Sequence, residues 1–151
     1  KCRENDKGIF ILCRTSNPSA GELQDLKLTD GRLVYEAKAD LIAAWGEDLV
    51  GEEGISSVGA VVGATWPQQA KELRERMPRS FFLIPGFGAQ GGTAADAVSG
   101  FDNNGRAAIV NASRSLMQAW KKQGVKDDDF ADACRAEAIA MRDSLREALA
   151  L

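Results

Sequence analysis

The sequence predicts an α/β fold, a parallel (βα)4 unit in which four strands alternate with helices. Four apolar runs recur along the chain, and a stretch with helical periodicity follows each of them. No two runs are joined by the short turn of a β-hairpin, so we expect parallel strands connected by helices. The third run leads into a loop with four glycines in seven residues, at positions 86–92.

The predicted strands are apolar runs without polar alternation, which is typical of strands buried on both faces of a sheet. They cover residues 8–13, 58–63, 81–84 and 107–111. Helices are predicted at residues 22–28, 33–45, 67–77, 93–100, 116–121 and 127–149. Thr93 is expected to cap the fourth of these helices, with Asp96 in its first turn, and Thr65 is expected to cap the helix that begins at Pro67.

The loops that follow the strands hold polar residues that indicate a binding site. Because the carboxyl ends of parallel strands share one edge of the sheet, we expect residues 14–17, 64–65, 86–92 and 113–114 to form one ring. Glycines let the backbone approach a ligand, and a helix start beyond them offers free N–H groups, which favours an anion site. Arg114, just past the last strand, suits bidentate recognition of phosphate. The alternative to an anion site is that the glycines form only a flexible turn between strand and helix.

Length and composition narrow the possible functions. The 151 residues are expected to form a single domain, and the net charge of −3 gives no reason to expect nucleic acid or an anionic membrane surface. The polar start and the lack of a long apolar run point to a cytoplasmic protein. The chain has no histidine, which excludes metal sites and catalysis that depend on histidine. Cys2, Cys13 and Cys134 are expected to be free thiols.

Four blocks of this chain resemble, in order and spacing, the second half of the longer bacterial type of orotidine 5′-phosphate decarboxylase. The most specific is Pro-Gly-Phe-Gly-Ala-Gln-Gly-Gly at residues 85–92. The others are Arg-Thr-Ser-Asn-Pro at 14–18, Gly-Ala-Thr-Trp-Pro at 63–67 and Ser-Arg-Ser at 113–115. The resemblance implies a (β/α)8 TIM barrel of which this chain supplies strands 5–8. It also implies conversion of orotidine monophosphate to UMP and CO2 without a cofactor or metal.

The resemblance also implies roles for individual residues. Ser16 matches the serine that hydrogen-bonds the amide edge of the pyrimidine. Gln90, Gly91 and Gly92 match the loop that closes over the nucleotide and its phosphate. Arg114 matches the arginine that pairs with the phosphate, and Ser113 precedes it at the turn that faces the phosphate. A homodimer of the complete enzyme is implied as well.

The family's catalytic residues are not matched in this chain. The resemblance places them, as an array of alternating lysines and aspartates, on the first half of the barrel. A literal D-x-K-x-x-D motif is present at Asp25, Lys27 and Asp30. We interpret it as surface charge at a helix end, because it does not end an apolar strand and so would not face a barrel mouth. The chain is therefore expected to need a missing N-terminal half and to be inactive alone.

Two other interpretations stay open at this stage. One is another phosphate-binding TIM barrel, such as a pentulose-phosphate epimerase or a keto-sugar phosphate decarboxylase. Such proteins should lack the pair of blocks at residues 14–18 and 88–92. The second is a self-contained, non-catalytic α/β domain that binds nucleotides.

Overall fold

Four parallel strands form one sheet in the computed structural model, which describes residues 1–150 except for the side chain of Asp127. The strands follow one another across the sheet in chain order, and each pairs in parallel with the next. They are β1 (Ile9–Arg14), β2 (Ser56–Val62), β3 (Ser80–Ile84) and β4 (Ala108–Val110). The predicted fold class, a parallel (βα)4 unit, is confirmed.

Helices connect the strands, as the sequence predicts, although several are shorter than expected. Short 3-10 turns cover Pro18–Ala20, Glu47–Leu49 and Asp127–Asp129. The α-helices are α1 (Cys2–Asn5), α2 (Gly21–Gln24), α3 (Val34–Gly46), α4 (Pro67–Arg76), α5 (Ala94–Val98), α6 (Ser113–Met117), α7 (Ala119–Gln123) and α8 (Phe130–Ala148). Among the described residues, no helix combines the length and the apolar composition that a membrane crossing requires.

The core lies between one face of the sheet and the helices. Residues of β1, β2 and β3 that point to this side pack against α3, α4 and α5. The largest apolar side chains with no more than 2% exposure are Phe82, Ile42, Leu73, Met77, Ile84 and Val62. This face excludes water, so most of the hydrophobic stabilisation of the chain arises here.

The opposite face of the sheet is open, which corrects the prediction that the strands at residues 8–13 and 81–84 are buried on both faces. Along β1, Cys13 is buried in the core while Phe10 and Leu12 are 48% and 59% exposed. Ile109 of β4 is 53% exposed, and only β2 is buried along nearly its whole length. The apolar runs arise because this second face is itself apolar, but no element within the described residues covers it.

The two predicted helix caps have different outcomes. Thr93 caps α5 as expected: its hydroxyl accepts from the Asp96 N–H at 3.1 Å, and the Asp96 carboxylate accepts from the Thr93 N–H at 2.8 Å. Thr65 does not cap α4, whose N-cap residue is Trp66 without a side-chain bond. The Thr65 hydroxyl instead donates across to the loop after β1, to the Ser16 carbonyl.

Candidate functional site

The loops after the four strands meet at one edge of the sheet, as expected for a parallel sheet. Backbone hydrogen bonds join each loop to its neighbour. The Gly63 N–H donates to the Arg14 carbonyl at 2.7 Å, and the Ala64 N–H donates to the Pro85 carbonyl at 2.8 Å. The Asn111 N–H donates to the Ile84 carbonyl at 3.1 Å. The ring of polar loop residues is therefore held together by the sheet edge itself.

The loop that carries Ser16 is fixed by side chains from the loop after β2. The Trp66 indole N–H donates to the Thr15 carbonyl at 2.8 Å, and the Thr65 hydroxyl donates to the Ser16 carbonyl at 3.2 Å. Gly63 lies so near that a Cβ there would meet Ser16 at 2.8 Å. Only glycine permits this approach, which brings Ser16 into contact with the loop after β2.

Next to Ser16, the last residue of β1 is a buried arginine. The Arg14 side chain is 1% exposed and forms an ion pair with Asp25, whose carboxylate is 44% exposed, at 2.9 Å. Its guanidinium lies 4.1 Å from the centre of the Trp66 ring and 5.2 Å from that of Tyr35. At these distances the cation is attracted to both rings. Sequence reasoning placed Arg14 in the ring of loops but did not assign it a role.

Cys13, the neighbour of Arg14, is not a nucleophile at this site. Burial raises the pKa of its thiol to about 12, so it stays protonated at neutral pH. Its Sγ lies 3.4 Å from the Tyr35 carbonyl, to which the thiol donates. Cys13, Cys2 and Cys134 are free cysteines.

The glycine loop after β3 is folded on itself. The Gly91 N–H donates to the Gly88 carbonyl at 2.8 Å, and the Gly92 N–H donates to the Gly86 carbonyl at 3.1 Å. Gly86, Gly88 and Gly91 have positive φ, which L-residues with side chains rarely adopt. Gly91 and Gly92 therefore shape the loop in this conformation, because their N–H groups are already used within it.

Gly86 is where the loops after β1 and β3 touch. A Cβ at Gly86 would meet the Ser16 Cβ at 2.9 Å, and both the Ser16 hydroxyl and the Gln90 Oε1 at 3.3 Å. The structure thus brings together Ser16 and Gln90, two residues that the sequence singled out for contact with a nucleotide. Their polar groups lie at equal distance from a backbone position that carries no side chain.

A cavity of about 100 Å³ lies between the glycine loop and the loop after β4. Its lining includes Gly86, Gln90, Ser113 and Arg114. Holding one water requires about 10–15 Å³ on the same measure, so the cavity has room for a small group such as a phosphate. Gly91 and Gly92, the other two predicted site residues, do not line it.

The charge at this cavity favours an anion. Arg114 is exposed, and within the described part of the chain no carboxylate pairs with its guanidinium. Ser113 and Arg114 are the first residues of α6, so their N–H groups lie at the positive end of a helix whose N-cap residue provides no side-chain bond. An arginine and backbone N–H groups are together a common donor set for phosphate.

The D-x-K-x-x-D motif lies away from the cavity lining. Asp25 pairs with Arg14, and Asp30 pairs with Arg32 at 2.6 Å. Hydrogen bonds from Arg32 hold the pKa of the Asp30 carboxyl below its usual range. Asp25 is therefore an ion-pair partner and not simply a solvated charge, and the motif presents no shared cluster of the kind that proton transfer needs.

Sequence reasoning left three anchoring residues without a role in the site: Arg14, Gln24 and Trp66. Gln24 accepts from the Thr15 N–H at 3.1 Å and donates to the Thr15 hydroxyl at 2.9 Å. One signal was available, namely an arginine that ends an apolar strand. Its partners come from separate loops, so only the assembled sheet edge reveals them.

Comparison with known proteins identifies relatives over nearly the whole chain. A family model described as "Orotidine 5'-phosphate decarboxylase / HUMPS family" matches residues 1–128. An orotidine 5′-phosphate decarboxylase of Clostridium perfringens is 45% identical over 147 residues, covering 97% of this chain and 50% of the relative. That of Rhodopirellula baltica is 43% identical over 149 residues, covering 96% of this chain and 49% of the relative. The chain spans about half the length of the curated relatives it matches.

Solved structures agree with the sequence relatives. The OMP decarboxylase of Leishmania donovani aligns with a TM-score of 0.64 and 32% identity, covering 93% of this chain and 50% of that one. A Toxoplasma gondii structure ascribed to orotidine-monophosphate decarboxylase aligns with a TM-score of 0.76 and 25% identity, covering 98% and 53%. The four βα units thus correspond to about half of a TIM barrel. With a family model that matches most of its length, the chain belongs to the orotidine 5′-phosphate decarboxylase / HUMPS family.

Proposed function

We propose that this chain is the part of an orotidine 5′-phosphate decarboxylase that binds the phosphate and the pyrimidine of the substrate. The observation that carries the proposal is an unpaired arginine beside a phosphate-sized cavity, in a chain that is 43–45% identical to decarboxylases of this name. The complete enzyme would convert orotidine monophosphate to UMP and CO2, without a cofactor and in the cytoplasm.

Each predicted site residue has a role in this proposal. Arg114 and the first N–H groups of α6 bind the 5′-phosphate, with Ser113 at the turn beside it. Ser16 hydrogen-bonds the amide edge of the base, and Gln90 lies between base and phosphate, near Ser16. Gly91 and Gly92 give the phosphate loop its shape. Binding energy at the phosphate, remote from the reacting carbon, would hold the loop closed and contribute to transition-state stabilisation.

The catalytic charges are proposed to come from a second half-barrel. Two features support this: the relatives are about twice as long as the matched region, and one face of the sheet is apolar and open. A complementary (βα)4 half would cover Phe10, Leu12 and Ile109 and pair with the free edges of β1 and β4. We further propose a homodimer of complete barrels.

The other interpretations have less support. The relatives at 43–45% identity are orotidine 5′-phosphate decarboxylases. Their names support this activity over that of an epimerase or a keto-sugar phosphate decarboxylase. The open apolar face argues against a self-contained nucleotide-binding domain, because such a domain would leave a large apolar surface in water.

We expect the purified chain alone to have no decarboxylase activity, because the lysine and aspartate array is not matched in it. Co-expression with the half of the Clostridium perfringens relative that this chain does not match should restore turnover of orotidine monophosphate if the halves dock. We refer to this assembly as the completed barrel. Turnover is measured by the loss of the absorbance of orotidine monophosphate, with each half alone as control. Activity of the chain alone would contradict the proposal that the catalytic charges come from a second half-barrel.

In the completed barrel, Arg114→Ala is expected to weaken UMP binding roughly 10- to 150-fold, since a hydrogen bond to a charged group contributes about 1.5–3 kcal/mol. Uridine, which lacks phosphate, should bind equally to parent and variant. Ser16→Ala should weaken both ligands, because it faces the base. Calorimetric titration of UMP and uridine measures these affinities. If Arg114→Ala weakens uridine as much as UMP, the arginine is not a phosphate ligand.

A further inference from the structure

We propose that Arg14 is a positioning residue that holds Ser16 in place for recognition of the pyrimidine. The inference rests on the proposed function for the identity of the ligand. It adds a cluster around the buried Arg14 that does not touch the ligand, which we call the Arg14 cluster: Arg14, Gln24, Asp25, Tyr35 and Trp66.

The guanidinium of Arg14 is the centre of this cluster. Its NH1 and NH2 groups lie 2.9 and 3.2 Å from the two carboxylate oxygens of Asp25, which is a bidentate arrangement. Its NH1 also lies 3.5 Å from the Gln24 Oε1. The flat cation rests on the Trp66 ring at 4.1 Å. Lysine offers neither the bidentate geometry nor the planar stacking, so this site requires arginine.

Two members of the cluster hold the backbone that leads to Ser16. The Gln24 side chain accepts from the Thr15 N–H, and the Trp66 indole donates to the Thr15 carbonyl. Both peptide groups of Thr15 are therefore fixed by side chains that touch the guanidinium. Because these bonds set the direction of the chain at Thr15, they also set where the next residue points its hydroxyl.

The position of Ser16 gives this restraint a consequence for binding. Its hydroxyl lies 3.3 Å from the point that a Cβ of Gly86 would occupy, and the Gln90 Oε1 lies 3.3 Å from the same point. Within the described residues its hydroxyl has no hydrogen-bond partner, whereas its carbonyl is taken up by Thr65. A hydroxyl held this way is pre-organised for a ligand and loses little freedom on binding.

The burial of Arg14 has a cost in stability. Its Nε–H is buried without an acceptor in the described part of the chain, and its charge is withdrawn from water to pair with a half-exposed carboxylate. Both features lower stability relative to an apolar side chain of the same size. A group retained at such a cost is expected to have a functional reason.

The inference predicts a selective loss of base recognition when Arg14 is changed. In the completed barrel, Arg14→Lys should weaken uridine and UMP about tenfold, the equivalent of ~1.4 kcal/mol. Ribose 5-phosphate, which lacks the base, should bind within about twofold of the parent, since the cavity at Arg114 is intact. Trp66→Phe keeps a ring beneath the guanidinium but removes the indole donor, and should show a smaller loss of the same kind. Arg76→Lys, at an ion pair on α4, is the matched control.

A double-mutant cycle with Ser16→Ala tests whether Arg14 acts through Ser16. If it does, Arg14→Lys should change uridine affinity by less than about twofold when Ser16 is already alanine. Losses that multiply, or an equal loss for ribose 5-phosphate, would overturn the positioning role and leave a general structural one. If the parent completed barrel binds neither UMP nor uridine, the proposed function itself fails.

A measurement on the completed barrel without ligand decides the case in which no ligand binds. The indole N–H of Trp66 should exchange with solvent about tenfold faster in Arg14→Lys than in the parent, because the ring loses its stacked cation. The same signal should be unchanged in Arg76→Lys. Equal exchange in all three proteins, measured by NMR, would show that Arg14 does not hold Trp66 in place, and the inference would be wrong.

Discussion

At the scale of single residues, two arginines organise opposite ends of the sheet, one buried (Arg14) and one partly buried (Arg74). Arg14 lies at the carboxyl ends of the strands and acts on the loop at Ser16. Arg74, on α4, lies at the other end and stacks 3.7 Å above the centre of the Phe82 ring. Burial lowers the pKa of Arg74 to about 10, which still leaves it charged at neutral pH. Its guanidinium donates at 2.8 to 3.1 Å to the carbonyls of Met77, Ser80, Gly100 and Ala107.

Replacing Arg74 by methionine is expected to lower the free energy of unfolding by roughly 3 kcal/mol. Methionine fills the space but removes the guanidinium donors from four carbonyls. Those of Met77 and Ala107 still accept from the N–H groups of Ser80 and Phe82, whereas each carbonyl left without any donor costs about 1–3 kcal/mol when buried. Urea denaturation followed by circular dichroism measures the change. Arg106→Met, at an ion pair between exposed groups, should stay within about 0.5 kcal/mol of the parent. Equal stability of Arg74→Met and parent would mean that water replaces the guanidinium at no cost.

At the scale of elements, helix α5 directly follows the glycine loop and joins it to the core. It has five residues, so its own hydrogen bonds give it little stability and its cap matters more than in a long helix. Thr93 and Asp96 bond reciprocally at its start, and Ala97 packs into the core. The loop that carries Gln90 is thus anchored at its far end by this cap.

We expect Thr93→Ala to destabilise the chain by about 1 kcal/mol, the usual contribution of an N-cap. The control on the same helix is Ser99→Ala, because the Ser99 hydroxyl only bonds back to the Ala95 carbonyl. Both variants are compared by urea denaturation. A loss of similar size in the two variants would show that the effect is not specific to the cap.

The same cap predicts a dependence on pH. Hydrogen bonds from the Thr93 side chain and backbone lower the pKa of the Asp96 carboxyl below its reference of 3.8. The stabilisation is therefore present above the unfolded pKa and is lost as the pH falls through the lowered folded pKa. Asp96→Asn should differ from the parent near neutral pH and converge with it once the pH has fallen below 3.8 and through the lowered pKa of Asp96. A constant difference across this range would contradict the pKa assignment.

At the scale of the whole molecule, the chain has the geometry of half a barrel. Within residues 1–150, the outer edges of β1 and β4 pair with no other strand, and the face between them exposes Phe10, Leu12 and Ile109. Such edges and faces are templates for association with other chains. The chain is therefore expected to be monomeric in solution only when this surface is covered, which agrees with relatives of twice the length.

The isolated chain should self-associate and bind a hydrophobic dye. Leu12→Lys together with Ile109→Lys should reduce both effects, since charge on an open sheet face opposes edge pairing. Leu41→Lys is the matched control, because Leu41 is 50% exposed but lies on helix α3. Sedimentation velocity and dye fluorescence measure the two effects. A monodisperse parent chain without dye binding would contradict the half-barrel interpretation.

Much of this architecture was determined by the sequence alone. Four apolar runs with helical stretches between them specify parallel strands, because each run is too short for anything but a strand and no hairpin turn joins them. The cap at Thr93 and the stop of α4 before Pro78 are equally local, since each depends on the chemistry of a few adjacent residues. The position of the candidate site also follows, because parallel strands bring their following loops to one edge.

Only the tertiary structure decided how the site is built. The strand pattern could not reveal an uncovered face, because an apolar run looks the same whether its second side meets a helix or lies open. Thr65 satisfies the local rule for a cap, yet its hydroxyl donates to Ser16, which is 49 residues away. Arg14, Gln24 and Trp66 likewise meet through three separate loops. Contacts between residues far apart in the chain depend on the assembled sheet, and no local pattern encodes them.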